Sequence, residues 1–410
     1  MKKMLRYEVK KVLCRISSKI ALVLLAGIVT AVSILAVNFV DWVDENGDTH
    51  TGYSAVRRLE ESQRQWEGPL TEEKIADVIR ENTRIQSTPE AQSKEVRQSN
   101  IAYSRQQPIN GIRDLVNRSF GGFRDFDYYT IDSLKPEDAA GFYSNRMANL
   151  KEWLYGEAKD QYSDAEKEFF IRQYGKMEIP IQYGFLELWD SFLEMAPTVI
   201  MLLAIILGFL LSGIFAGESG CRADSVFYAS LYGRSKAITA KIGAGFCIIT
   251  ALYWVVMLVY TALVMGVTGM RGWDCMIQAS SSGWKSFYNI TVGQEYLLTL
   301  LGGYLGCLFL GGCTMLVSAL TNTVLAVMVP FVLIFIPSFL AGINHPGVAK
   351  LLGLLPDQLL QMNMTVRYFN VYQIGGTVVG AVPILMAVYV GLTALAGPGC
   401  YWGFKKREVK

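Results

Sequence analysis

The chain predicts an all-α membrane protein of six transmembrane helices, with a mainly helical domain inserted between the first and second. Three observations carry this expectation. A span needs about 20 mostly apolar residues. Six windows qualify: Ile20–Val40, Met195–Phe215, Ala240–Gly266, Tyr296–Leu320, Val324–Ile343 and Gly375–Gly397. Only Lys241 and Glu295 bring charge to their ends. Next, a long polar stretch separates the first window from the other five, which is why the mean hydropathy of the whole chain is only +0.27. Finally, the basic residues cluster. Lys2, Lys3, Arg6, Lys10, Lys11, Arg15 and Lys19 precede the first window, and Lys405, Lys406, Arg407 and Lys410 follow the last. Arg222, Arg234, Lys236 and Lys241 lie between the second and third. The positive-inside rule puts all three clusters in the cytoplasm, and an even number of spans agrees. Juxtamembrane basic residues meet anionic lipid, so membrane lipid is the expected partner there and nucleic acid is not.

The expected organisation follows. Residues 1–18 form a cytoplasmic amphipathic helix, 19–41 the first span, 42–193 an extracellular domain, 194–398 a five-helix bundle and 399–410 a basic cytoplasmic tail. Within the bundle, 217–240 is a cytoplasmic coupling segment, and about 344–373 holds extracellular re-entrant or short helices, too broken by Pro356 to span. The first window resembles a secretory signal in its basic start. It is too long for one, and Ile34–Trp42 offers no small-x-small cleavage site.

Met4, Leu5, Val9, Val12, Leu13 and Ile16 recur at three- and four-residue spacing among basic residues, the pattern of a helix lying on a membrane surface. In the inserted region, Thr71 is placed to cap a helix with Glu72 and Glu73 in its first turn and Ile75, Val78 and Ile79 on one face. Gln86–Gln107 reads as a loop or exposed helix. Ser133 begins another helical stretch with Pro136 in its first turn, and Ser163 caps a third. None of the seven cysteines falls in this region, so its fold is expected to need no disulfide, and no cysteine pair has metal-ligand spacing.

In the bundle, the pairs Gly213 and Gly217, Gly302 and Gly306, and Gly376 and Gly380 are Gly-x-x-x-Gly repeats that would let helices approach closely. Pro330, Pro337 and Pro383 sit inside windows and would kink them. Catalytic signatures are missing. There is no phosphate-cradling Gly-x-x-x-x-Gly-Lys and no His-Glu-x-x-His, and the two histidines, His50 and His345, lie far apart in sequence. No acid or base lies mid-span, which counts against an ion-coupled transporter. A membrane-embedded enzyme would have only Asn38, Glu194 and Glu295 to work with. A stand-alone sensor or scaffold, its outer domain binding a ligand, remains the second reading.

The connection over 217–240 is the strongest local signal. Glu218 stands where the second window ends, Arg222 follows, and Phe227 and Leu231 give a short apolar face. Gly233, Arg234 and Lys241 lead into the third window. This arrangement resembles the permease subunits of type-2 ATP-binding cassette exporters, in which a Glu follows the second span and a Gly/Ser-Arg pair and a Lys precede the third. Glu218, Gly233, Arg234 and Lys241 match those positions. The N-terminal Tyr7, Glu8, Val9, Lys10 and Lys11, the Leu354-Leu355-Pro356 before broken outer helices, and the tail from Tyr401 agree. The large insertion resembles a subgroup common in Gram-positive bacteria, which implies a bacterial plasma membrane.

The resemblance implies a non-enzymatic subunit that binds no cofactor itself. ATP and magnesium would sit on a separate ATPase subunit docked on the segment around Glu218–Arg234 and on the N-terminal helix. A second permease chain, identical or related, would complete an export pathway for a peptide, antibiotic, lipid or other amphipathic compound.

Expressed alone, residues 44–190 are expected to give a far-ultraviolet circular-dichroism spectrum with helical minima; a strand-dominated spectrum would refute a helical insert.

Overall fold

The computed structural model describes residues 2–220, 232–233, 235–266, 268–340 and 346–406, with side chains omitted at 218–220 and 346. Among the described residues, six helices are long and apolar enough to cross a membrane: Ile16–Asn38, Glu187–Gly217, Lys236–Met265, Val292–Leu320, Thr323–Leu340 and Ala381–Lys405, called here spans one to six. The chain is a multi-pass, predominantly helical protein. Spans two and four form its centre. Within their most apolar windows, 72% and 61% of residues are buried, against 39% for spans one and three and 22% for spans five and six. The peripheral spans turn Val23, Leu24, Val255, Leu258, Phe335, Phe339, Val390 and Leu395 outward. An apolar surface that wide is a liability in water and ordinary in lipid.

Lipid gives helices no hydrophobic reason to associate, so close approach has to hold them. Glycine provides it. A Cβ on Gly303 of span four would stand 2.6 Å from the Tyr253 hydroxyl and 2.8 Å from Ile200 Cδ1. On Gly245 of span three it would stand 2.2 Å from Met315 Sδ, and on Gly312 of span four 2.8 Å from Ala396 Cβ. Pro330 inside span five needs a seat, and Gly208 of span two supplies it, since a Cβ there would meet the ring at 2.3 Å.

The Gly-x-x-x-Gly repeats resolve differently from one another. Gly302 and Gly306 face the short helices Asp357–Leu360 and Met362–Thr365, with a Cβ at 302 falling 3.0 Å from the Leu359 carbonyl and one at 306 falling 2.5 Å from Leu360 Cδ2. Gly213 and Gly217 lie under the Arg15 guanidinium. Gly376 and Gly380 are not in a helix at all, a correction to the expected sixth span. Val371–Ile374 and Thr377–Gly380 form an antiparallel hairpin whose two-residue turn, Gly375 and Gly376, has φ of 56° and 83°. That left-handed pair is the Gly-Gly turn favoured in tight hairpins.

Span six therefore begins at Ala381 and continues through Lys405, so much of the expected basic tail belongs to the helix. Pro383 sits in its first turn, where the missing N–H is harmless; the interior prolines are Pro197, Pro330, Pro337 and Pro398. Pro197 leaves the Leu193 carbonyl without its helical donor, and Asn363 Nδ2 donates to that oxygen at 2.8 Å.

The insert between spans one and two is mainly helical. Its helices run over Tyr53–Gln63, Glu72–Gln86, Val96–Gln106, Asn110–Phe120, Phe142–Tyr155 and Asp164–Tyr174. Thr71 Oγ1 caps the second, accepting from the Lys74 amide at 3.2 Å, and Ser163 with Glu166 forms a capping box on the last. Ile75, Val78 and Ile79 pack with Ile112, Leu115, Ile131 and Phe142 in the core. The stretch from Ser133 differs from expectation. Pro136–Gly141 is a 3-10 turn, and the α-helix starts only at Phe142. Short ladders tie the ends, Trp42–Val43 with Thr49–His50 and Gly68–Pro69 with Gln182–Tyr183.

The insert is not independent of the bundle. Its second core, built on Leu150, Trp153, Leu154, Phe170 and Tyr174, is completed by Phe287 and Val371 from later connections. Arg146 donates to the carbonyls of Trp284 and Ser286, both at 3.0 Å. Lys350 pairs with Glu166 at 2.6 Å. Burial opposes ionisation of that carboxyl, but the hydrogen bonds from Lys350 and the Ser163 amide overcome it and hold the pKa below the usual range. Insert and connections together form a cap over one end of the bundle.

Gly303→Leu is expected to destabilise the protein by ~1–3 kcal/mol through overpacking. Gly27→Ala, at a position with nothing within 4 Å of the added methyl, is expected to be neutral or to stabilise by up to ~1 kcal/mol. Thermal unfolding in one detergent compares them, and equal losses would refute the packing assignment.

Candidate functional site

The end of the bundle opposite the cap gathers the N-terminal helix and the end of span six. The helix Lys2–Leu13 lies along the start of span three. Part of its apolar face meets protein: Val12 is buried, Val9 and Leu13 are half-buried, and Leu5 stands 3.2 Å from where a Cβ on Gly243 would be. Gly243 thus admits the helix to close range. Phe404, near the end of span six, packs on Phe215 of span two with ring centroids 4.8 Å apart and planes tilted by 47°.

Between these elements sits Lys241. Its side chain is fully buried, with Nζ 3.2 Å from Glu8 Oε2 and donating to the Ile214 carbonyl at 2.9 Å. Glu8 is itself largely sequestered, its side chain 14% exposed. An ammonium in such a place is tolerable only when charge and hydrogen bonds compensate it. The pair joins the N-terminal helix, span two and span three at one atom.

Span two is interrupted close by, at Ser212 between Leu211 and Gly213. Ser318 Oγ of span four donates to the Ser212 carbonyl at 2.6 Å and accepts from the Phe215 and Ala216 amides at 3.3 and 3.1 Å. A hydroxyl inserted into the i→i−4 ladder is a recognised cause of a helix break.

Beside the ion pair opens a groove of ≈ 420 Å³ lined by Lys3, Met4, Tyr7, Glu8, Tyr232 and Gly233. Lys236 Nζ lies 4.3 Å from the centre of the Tyr232 ring. Of the residues singled out from the sequence, Glu8, Gly233 and Lys241 therefore meet around one feature. Lys10 is exposed and Lys11 half-buried on the same helix. Arg222, Phe227, Leu231 and Arg234 lie outside the described residues, as does the side chain of Glu218. Sequence reasoning missed Arg15, Ser318 and the Ile214 carbonyl. Only Arg15 carried a signal, as a cation directly before an apolar run.

At the cap end, Glu295 is more than the boundary residue it resembles. It is buried, and Arg367 reaches both Glu295 Oε1 at 3.5 Å and Asp190 Oδ1 at 3.6 Å. One guanidinium thus pins the starts of spans two and four to the broken connection above them.

The chain matches no family model, no curated protein and no solved structure.

Lys241→Ala is expected to cost about 3–5 kcal/mol, the range for breaking a buried pair from one side, and Lys241→Met much less, since an apolar side chain of similar volume refills the site. Thermal unfolding gives the stabilities, and amide hydrogen exchange over residues 2–13 reports release of the N-terminal helix. An alanine variant as stable and as protected as the parent would remove the anchoring role.

Proposed function

We propose that the chain is the permease subunit of a type-2 ATP-binding cassette exporter, driven by a separate ATPase subunit. The supporting observation is the buried Lys241–Glu8 pair beneath an open groove. A soluble motor needs a handle that is accessible on one side and rigidly joined to several spans on the other. The groove offers the first, and the pair, bonded also to the backbone of span two, offers the second. In this reading both termini are cytoplasmic in a bacterial plasma membrane, and the cap is extracellular. ATP and magnesium belong to the partner, a second permease chain completes the pathway, and the cargo is a peptide, antibiotic, lipid or other amphipathic compound. Motor closure shifts the spans between two states that bind cargo differently, which is what transport requires.

A mild-detergent pull-down from native membranes, with bound proteins identified by mass spectrometry, tests this. Near-stoichiometric recovery of a small ATPase of the cassette type is the expected outcome. The double substitution Glu218→Ala, Arg234→Ala is expected to lose that subunit while inserting normally. Intact chain recovered without any ATPase would favour a stand-alone sensor or scaffold whose capping domain binds a ligand.

A further inference from the structure

An open groove of ≈ 680 Å³ lies where the insert helix Tyr53–Gln63 meets the cap end of span three. The Tyr53 hydroxyl donates to the Leu263 carbonyl, in the last turn of that span, at 2.8 Å. This bond holds the insert helix at the level where the span ends. One wall of the groove is cationic: Arg57 and Arg58 border it, against a single carboxylate, Glu61.

These two arginines differ from others of the insert. Arg64, Arg80, Arg84 and Arg105 pair with Glu60, Asp77, Glu81 and Glu90. Among the described residues, neither Arg57 nor Arg58 is paired with a carboxylate, and both are exposed. Arg58 lies instead over the ring of Trp42, just past span one, 4.9 Å from its centre. Tryptophan and tyrosine favour the membrane–water boundary, so Trp42 and Tyr53 mark the two guanidiniums as standing at headgroup depth. The positive-inside rule accounts for the basic clusters at the opposite end of the bundle, but not for these.

The other wall is apolar and runs on into the bundle. It begins with Gly266, Leu263 and Ala262. Val259, Leu258 and Val255 follow, all exposed, at the three- and four-residue spacing of one helix face. An uncovered apolar stripe thus ends at two unpaired guanidiniums. Arginine's planar fork suits phosphate oxygens, and the stripe suits an acyl chain. We propose that this groove binds an anionic glycerophospholipid, its phosphodiester on Arg57 and Arg58 and one acyl chain along span three. A free phosphate ester would leave the stripe bare. The inference goes beyond the exporter reading and does not depend on it.

Native mass spectrometry of the full chain in detergent, titrated with dioleoyl phosphatidylglycerol, tests the proposal. Dioleoyl phosphatidylcholine and glycerol 3-phosphate serve as controls. The expected result is a saturable site for one phosphatidylglycerol that prefers it to phosphatidylcholine and is not emptied by glycerol 3-phosphate. Arg57→Gln and Arg58→Gln should each weaken it about fivefold, and the double variant about thirtyfold, as expected for one and two cations beside anionic lipid. Arg58→Lys, which keeps the charge, should lose less than Arg58→Gln. Arg80→Gln, at an arginine already paired with Asp77, should leave the site unchanged. Equal binding of phosphatidylcholine, displacement by glycerol 3-phosphate, unchanged affinity in the double variant, or an equal loss in Arg80→Gln would each overturn it. So would a double variant that sheds a second copy of the chain instead of a lipid.

Discussion

Everything in this fold depends on how closely spans two and four approach. In hydrocarbon there is no apolar surface to hide, so association rests on dispersion and on buried polar ties. The glycine at 303 brings the span-four backbone against Ile200 and Tyr253, and the one at 208 seats the kinked fifth span on the second. Spans one, three, five and six are arranged around that contact, which is why they keep broad apolar faces outward. Polar ties then fix the register at both ends. Ser318 enters the ladder of span two at one end, and Arg367 bridges Asp190 and Glu295 at the other. Ser318 satisfies the Phe215 and Ala216 amides, and Arg367 sets a positive charge beside the two carboxylates.

The cap follows from the same economy of contacts. A two-stranded ladder or a lone helix cannot bury enough to stand alone. The insert solves this by sharing aromatic side chains with the later connections, so that Phe170 packs on both Phe287 and Phe369. Arg146 then replaces the missing sheet partners of the Trp284–Ser286 backbone. Cap and bundle are one body because neither completes its core without the other.

Local signals in the sequence were faithful where the physics is local. Spans were legible from run length, and Thr71 and Ser163 from capping chemistry, since each depends on neighbours within four residues. The start of span six was not. Thr377–Gly380 is apolar enough to extend a hydropathy window, and the Gly375-Gly376 turn signal was outweighed by it. The helix Val96–Gln106 lies in the stretch read as a loop or exposed helix, and among its few buried residues is Gln106, bonded to the Tyr128 hydroxyl at 2.6 Å, where an apolar stripe would mark a helix more plainly. At the candidate site, Glu8 and Lys241 were each legible from a resemblance, but their pairing spans 233 positions and needs the fold.

Span two joins the two ends of the bundle. It begins with Glu187, Asp190 and Glu194 beneath the insert, and its far end offers the Ile214 carbonyl to Lys241. A straight helix would transmit displacement along its axis without loss, but this one is interrupted at Ser212, where a side chain of span four stands in for its own hydrogen bonds. Coupling between distant sites requires an element with two discrete arrangements that both sites bias. The Ser212 break is where span two can change direction at the smallest cost, because exchanging the Ser318 bonds for the regular ladder leaves no amide unsatisfied. The Lys241–Glu8 pair ties the short segment beyond that break to the N-terminal helix and span three, so the two parts of span two are anchored to different neighbours.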